Sequence, residues 1–254
     1  MRALSLPGCG CRGAFQFAVL ARLEAAGERF DVAAGASSGS IAAAAYVAGK
    51  CSLGPEIYRS LAGTPVFSAR WLASERSPFG MTRIVGDALR EHLPEALIHR
   101  SEVELLVSTT TVPGLLRQLV WKDGRAVIHS SRERRDIHSL LLASCTFPPF
   151  YARVPRLDGR FHFDGGATDN NLIGALAERG ARSITVITPH PDGAVYHGLF
   201  RPLEKPRADG LTLRVIAPAR RLSIRSFDFD PQRLAEALEM EHVEHWFEPV
   251  ARPS

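Results

Sequence analysis

Two glycines bracket a serine at Gly35-Ala36-Ser37-Ser38-Gly39, between an apolar run that reads as a strand (Phe30 to Ala34) and an alanine-rich run that reads as a helix (Ser40 to Ala48). A chain passes from strand to helix through so sharp a turn only where neighbouring backbone can close in on it, and glycine two positions either side permits that. In such an elbow the central serine is held on a strained turn. The helix after it brings free N–H groups and its positive dipole end to the same spot. Ser37 has the central position and Ser38 does not. The pattern is short for a chain with 21 glycines, and a serine merely capping a helix would also satisfy it. Context has to decide.

The preceding residues supply it. Arg2 to Leu6 reads as a buried strand, Gly8 to Gly13 as a glycine loop, and Ala14 to Ala26 as a helix with Phe15, Val19, Leu20 and Leu23 on one face. The first fifty residues therefore run strand, loop, helix, strand, elbow, helix, which argues a parallel sheet flanked by helices. Further on, Thr82 to Leu93 has a helical stripe and Glu104 to Thr110 resembles a buried strand. Leu116–Trp121 and Arg125–His129 read as a hairpin around Lys122-Asp123-Gly124, and Val154–Leu157 and Arg160–Phe163 as another around Asp158-Gly159. Ile137 to Ser144 reads as a short helix, Ser183–Thr188 and Leu213–Ala217 as later strands, and Pro231 to Trp246 as a closing helix. Stretches 61–80 and 189–210 lack periodicity and are expected to be loops. With no repeat or linker, residues 1–254 are expected to form one domain.

Composition excludes several function classes. The net charge of +4 is spread along the chain, too dispersed for a nucleic-acid stripe, so no nucleic-acid partner is expected; transient contact with anionic lipid headgroups would suit it. Cys9, Cys11, Cys51 and Cys145 lack metal-site or disulfide spacing and read as reduced thiols. No apolar run reaches the roughly 20 residues of a membrane span, and no signal peptide is evident, so a cytoplasmic site is expected. Glu241-His242-Val243-Glu244-His245 lacks the H-E-x-x-H arrangement and is read as a solvated helix face. No metal or other cofactor is expected.

Gly8-x-Gly10-x-x-Gly13 has two readings. It fits a dinucleotide fingerprint with Asp31 as the ribose-binding acid, or a loop of N–H donors for the oxyanion of acyl transfer. Three glycine-dependent devices occur in the chain, at 8–13, at 35–39 and at Asp164-Gly165-Gly166, and a serine hydrolase uses all three. The series Leu4-Ser5-Leu6-Pro7-Gly8-Cys9-Gly10-Cys11-Arg12-Gly13-Ala14-Phe15-Gln16, Gly35 to Gly39, Phe147-Pro148-Pro149-Phe150, and Asp158 to Gly166 with Asp169-Asn170 resembles the patatin-like phospholipases. That resemblance implies a three-layer α/β/α sandwich with a mostly parallel central sheet, and a lipid acyl hydrolase working through a Ser-Asp dyad. Ser37 would be the nucleophile, Asp164 the base, and Gly8, Cys9 and Gly10 the oxyanion hole, supported by Arg12, Gly13, Gly35, Gly39, Gly165 and Gly166. An acyltransferase, a thioesterase, or a non-catalytic lipid- or nucleotide-binding module are the alternatives. The family usually carries three consecutive glycines where Cys9 stands; a cysteine there is strained if the position needs positive φ, and still donates its N–H if it does not. His190 and His197 come after Asp164 in the order of a Ser-Asp-His triad, but a dyad does not need them. Trp71, Leu72 and Phe79 read either as satellite core or as an apolar lip through which an acyl chain enters from a membrane.

Overall fold

The computed structural model describes residues 1–112, 124–198, 201–207 and 210–247. In chain order the elements are β1 (Arg2–Leu6), α1 (Gly13–Ala25), β2 (Val32–Ala36), α2 (Ser38–Val47), α3 (Gly54–Ser60), α4 (Trp71–Glu75), α5 (Met81–His92), α6 (Glu95–Arg100), β3 (Glu104–Thr111), β4 (Arg125–Ser130), α7 (Ile137–Cys145), β5 (Arg156–Leu157), β6 (Arg160–Asp164), α8 (Ile173–Glu178), β7 (Ser183–Ile187), β8 (Val195–Tyr196), β9 (Leu203–Glu204), β10 (Thr212–Pro218), α9 (Pro231–Glu239) and β11 (His242–Phe247).

Strands β10, β7, β1, β2 and β3 lie side by side and parallel, with antiparallel β11 beyond β10 and antiparallel β4 and β6 on β3. Alternate residues of these strands feed two cores, as a sheet covered on both faces requires. Leu4, Leu6 and Ala33 pack with α1, α2, α5, α7 and α9, whereas Ala3, Val32, Ala34 and Ala36 pack with Leu172 and with Leu176 of α8. The result is the expected α/β/α layering around a mostly parallel sheet.

One edge of β3 brings two strand ends together. Leu106, Val107 and Ser108 pair with both β2 and β4, and Thr109 pairs with both β4 and β6, so β2 and β6 occupy the same side of β3. Strand β2 takes residues 104–108 and ends at Ala36 opposite Ser108; β6 runs the other way along residues 109–111 and ends at Asp164 opposite Thr109. Two strands thus meet end to end along one neighbour, and the residues at their C-terminal ends, Ser37 and Asp164, converge. Both chains must turn sharply out of the sheet at that point.

Two expectations are corrected. The closing helix stops at Glu239, and His242–Phe247 form the edge strand β11 on β10. The segment is held by a six-residue antiparallel pairing with β10, across which Arg214 donates to Glu244 at 3.0 Å and lies over the Trp246 ring; Arg214 also donates to Glu28 at 2.7 Å. The His/Glu pattern at 241–245 is therefore not a helix face. The stretches expected to be unstructured also hold short elements: α4 with a Phe67–Phe79 bridge, and the β8–β9 pair. Of the first expected hairpin, Arg125–His129 falls in β4, paired antiparallel with β3, while 116–121 lies outside the described residues. The second hairpin forms around Asp158 and Gly159, both at positive φ.

Candidate active site

Ser37 has φ 52° and ψ −133°, a region that costs a non-glycine residue about 1–3 kcal/mol. The flanking glycines make it feasible. A side chain at Gly35 would run into the Gly39 carbonyl, and one at Gly39 into the Leu6 carbonyl, so β1, β2 and α2 close on each other only because neither has a Cβ. The Ser37 N–H donates to Ser144 Oγ at 2.9 Å, and that hydroxyl donates on to the Ser108 carbonyl at 2.7 Å. Sequence reasoning missed Ser144, one more small residue on a buried helix face.

Asp164 is buried, and burial pushes its carboxyl up to about 6, against the opposing pull of the Ser37 hydroxyl and the Gly166 N–H, each of which stabilises the ionised form. Gly166 N–H lies 2.8 Å from Asp164 Oδ1. The backbone is pinned on both sides, Asp164 N–H donating to the Thr146 carbonyl at 2.9 Å and Thr110 Oγ1 to the Asp164 carbonyl at 2.7 Å. Gly165 is required because a Cβ there would strike the Ser108 carbonyl. The sequence-predicted serine and aspartate are thus brought together. Beside them the Cys145 thiol is pushed well above its ordinary value, first by burial and then by the Asp164 charge, which leaves it protonated and unreactive.

The glycine loop presses against the same spot. A Cβ on Gly8 would lie 2.7 Å from Ser37 Cβ. The position that takes positive φ is Gly10, at 62°, while Cys9 has φ −151° and is unstrained. Two of the three expected oxyanion donors are engaged: Gly8 N–H donates to Asn170 Oδ1 at 2.8 Å and Cys9 N–H to Ser38 Oγ at 3.1 Å. The Gly10 N–H meets no acceptor among the described residues. Arg12 anchors the loop, donating to the Cys9 carbonyl and to Ser226 Oγ, both at 3.3 Å. The Ser226 carbonyl also accepts the Cys11 N–H at 2.8 Å. That contact joins residues more than 200 positions apart and left no trace in local sequence. Asn170, in contrast, was visible as part of the Asp169-Asn170 pair, and Asp169 fixes the next turn by accepting the Leu172 N–H at 3.0 Å.

The other candidates disperse. Asp31 accepts the Arg2 N–H at 2.7 Å at the start of β2, across the sheet from the glycine loop at the end of β1, so the two do not form a dinucleotide site. His197 Nδ1 is bound to Asn171, and His190 packs edge-on to Tyr196; among the described residues neither ring hydrogen-bonds to Ser37 or Asp164. All four cysteines are buried and unpaired. Trp71 is tied down through Nε1 to the Pro65 carbonyl at 2.9 Å, and Phe79 packs between Phe67 and Phe150. Phe67 and Leu72 are left 65% and 53% exposed.

A cavity of about 430 Å³ opens beside Ser37 and Asp164, within the usual size of small-ligand sites. Its wall is mainly apolar, from α2, α3 and α5, with the glycine loop, Asn170 and Ser226 at the Ser37 end. Among the described residues no helix is long and apolar enough to cross a membrane.

Comparison with known proteins gives three results. The family model described as patatin-like phospholipase matches residues 4–177. No curated protein sequence matches the chain. Among solved structures the chain is similar to VipD from Legionella pneumophila, with a TM-score of 0.46 and 13% identity over 93% of this chain and 64% of that one, so it spans less than two thirds of that protein. The match to the family model covers the glycine loop, the elbow and the Asp-Gly-Gly turn together, and on it the chain belongs to the patatin-like phospholipase family.

Proposed function

We propose that the protein is a serine-dependent lipid acyl hydrolase, a carboxylic ester hydrolase of the phospholipase A, lysophospholipase or carboxylesterase type, in which Ser37 and Asp164 form the catalytic dyad. The observation that carries this reading is a buried carboxylate, raised to about 6, with a strained serine hydroxyl as its partner. A carboxyl near that value is ionised at neutral pH yet basic enough to take a proton in the transition state. Asp164 accepts the Ser37 proton as Oγ attacks the acyl carbonyl. The negative oxygen then falls to the N–H of Gly10, joined by Cys9 when the Ser38 hydroxyl turns aside, and to the N-terminal end of α2. Collapse breaks the ester bond, and Asp164 returns the proton to the departing alcohol. Water, deprotonated by Asp164, releases the acyl group from Ser37.

Ser37→Ala and Asp164→Asn are each expected to lower ester hydrolysis by at least about 10³-fold while circular dichroism stays native, and a fluorophosphonate probe is expected to label Ser37. Substantial turnover in either variant would rule the dyad out.

Peripheral contact with an anionic lipid surface is part of the same reading. Exposed Phe67 and Leu72 flank Arg70, which stacks over Trp71 at 4.2 Å. From Phe67 an aromatic series passes through Phe79 and Phe150 to Phe227, which lines the cavity. Sedimentation with vesicles containing phosphatidylglycerol is expected to fall on substituting both Phe67 and Leu72 by serine. Equal binding of the double variant would remove the lip from the proposal.

A further inference from the structure

We propose that the cavity is a channel for one straight acyl chain of about ten to twelve carbons, ending at Lys50 and His92; this rests on the acyl-hydrolase reading and names the substrate class, esters of medium-length unbranched acids. The wall runs along two helices from end to end. On α2 it includes Ser38, Ile41 and Ala45, and on α5 Met81, Val85, Ala88 and His92, each set on one face.

Both helices begin at the Ser37 end. α2 starts directly after Ser37. The Thr82 Oγ1 accepts the Ala152 N–H at 2.9 Å, next to Tyr151, which with Cys145 lines the cavity beside Asp164. The other end of α5 is fixed where His138 Nε2 meets the Leu93 carbonyl at 2.7 Å, at the opposite end of α7 from Cys145. Lys50 and His92 therefore line the far end.

At the helical rise, Ser37 to Ala45 covers about 12 Å and Met81 to His92 about 16 Å. An extended chain advances about 1.3 Å per carbon for bonds near 1.5 Å, so the channel accepts roughly ten to twelve carbons. The volume agrees in scale: about 430 Å³ lies toward the small end of the roughly 300–1,000 Å³ of ligand sites, in keeping with a single chain and its ester. Past that length the wall changes from apolar side chains to a cation and an imidazole, and further methylenes gain no burial. The alanines at 45 and 88 keep the last third open.

The test is calorimetric binding of saturated straight-chain fatty acids from six to eighteen carbons, below their micellar concentrations, to the full-length protein. Affinity is expected to rise about fourfold per methylene up to ten to twelve carbons and then level off. Ala88→Phe, with Ala88→Leu as the milder change, is expected to move the break about four carbons shorter, and His92→Leu to move it longer. The same break should appear in kcat/KM for p-nitrophenyl esters. Affinity climbing smoothly through eighteen carbons, or a break that ignores residues 88 and 92, overturns the channel. Fatty-acid binding with the expected break but no ester turnover would instead overturn the hydrolase reading and leave the channel standing.

Discussion

Replacing Asp164 by asparagine is expected to act in opposite directions on activity and on stability. In the folded protein the carboxyl titrates at about 6 because burial penalises its charge, whereas in the unfolded chain it returns to about 3.8. Between those values the native state holds the proton more tightly than the unfolded state does. Stability from this group is thus fully present below about 3.8 and is lost as pH rises through about 6. At pH 7 the charged, buried aspartate costs about 3 kcal/mol relative to a neutral group in the same place. Asparagine is such a group, and its carbonyl oxygen keeps the Gly166 N–H that Asp164 Oδ1 now accepts. Urea unfolding at pH 7 should therefore find Asp164→Asn about 2–3 kcal/mol more stable than the parent, with the difference disappearing near pH 4. In the parent, kcat/KM should rise with pH through a midpoint near 6, since in the proposed dyad only the ionised carboxylate would remove the Ser37 proton. A variant no more stable at pH 7 than at pH 4, or a pH profile flat from 5 to 8, would refute the account of Asp164 as a desolvated base.

Ser144→Ala removes the acceptor of the Ser37 N–H, and is expected to cost about 1–3 kcal/mol and to lower kcat, with KM and the midpoint near 6 unchanged, as a positioning residue should. A shifted midpoint would mean that Ser144 acts on the charge of Asp164 instead. Gly39→Ala drives a methyl group into the Leu6 carbonyl, and thermal unfolding should register a loss of several kcal/mol or no folded protein at all. The Cys9 and Cys11 thiols, raised by burial to about 11 and about 12, should resist iodoacetamide at pH 8 in the native state and react only in denaturant; rapid native labelling would contradict their burial.

Elements whose signals are local were legible. The strand-loop-helix-strand-elbow-helix order of the first fifty residues comes from buried runs and punctuating glycines, and α5 from its apolar stripe of Ile84, Val85, Ala88 and Leu89, of which Ile84 and Leu89 are buried. The turn at Asp158-Gly159 could be read because those residues tolerate the positive φ that both adopt. Misreadings occurred where a distant partner decides. His242–Phe247 has apolar and charged residues at spacings a helix also accepts, and what makes it a strand is pairing with distant β10, across which Arg214 bonds to Glu244, 30 positions on. The grip of Ser226 on the glycine loop and the support of Ser37 by Ser144 are likewise long-range contacts through hydroxyls that occur everywhere in the chain. Motif glycines, in contrast, announce themselves: at Gly8, Gly10, Gly35, Gly39 and Gly165 a Cβ would meet backbone, and at Gly13 and Gly166 it would meet packed side chains.

That Ser37 and Asp164 face each other depends on register, which no spacing between them in the sequence fixes. Strand β6 must end opposite Thr109, one step beyond the Ser108 that ends the pairing of β2. A slip of one residue along β3 would carry Asp164 about 3.3 Å away and turn its side chain to the other face of the sheet. The bond from Thr110 Oγ1 to the Asp164 carbonyl, at 2.7 Å, and the contact of the same hydroxyl with Thr168 Oγ1, at 2.8 Å, hold that register from within the sheet. Thr110→Val preserves the shape of the side chain and removes both. The variant should lose about 1–3 kcal/mol for the buried groups left unpaired, and kcat should fall as the carboxylate drifts from Ser37, while the pH midpoint stays near 6 because the burial of Asp164 is untouched. Unchanged kcat alongside the stability loss would mean that the Asp164 N–H bond to the Thr146 carbonyl holds the register by itself.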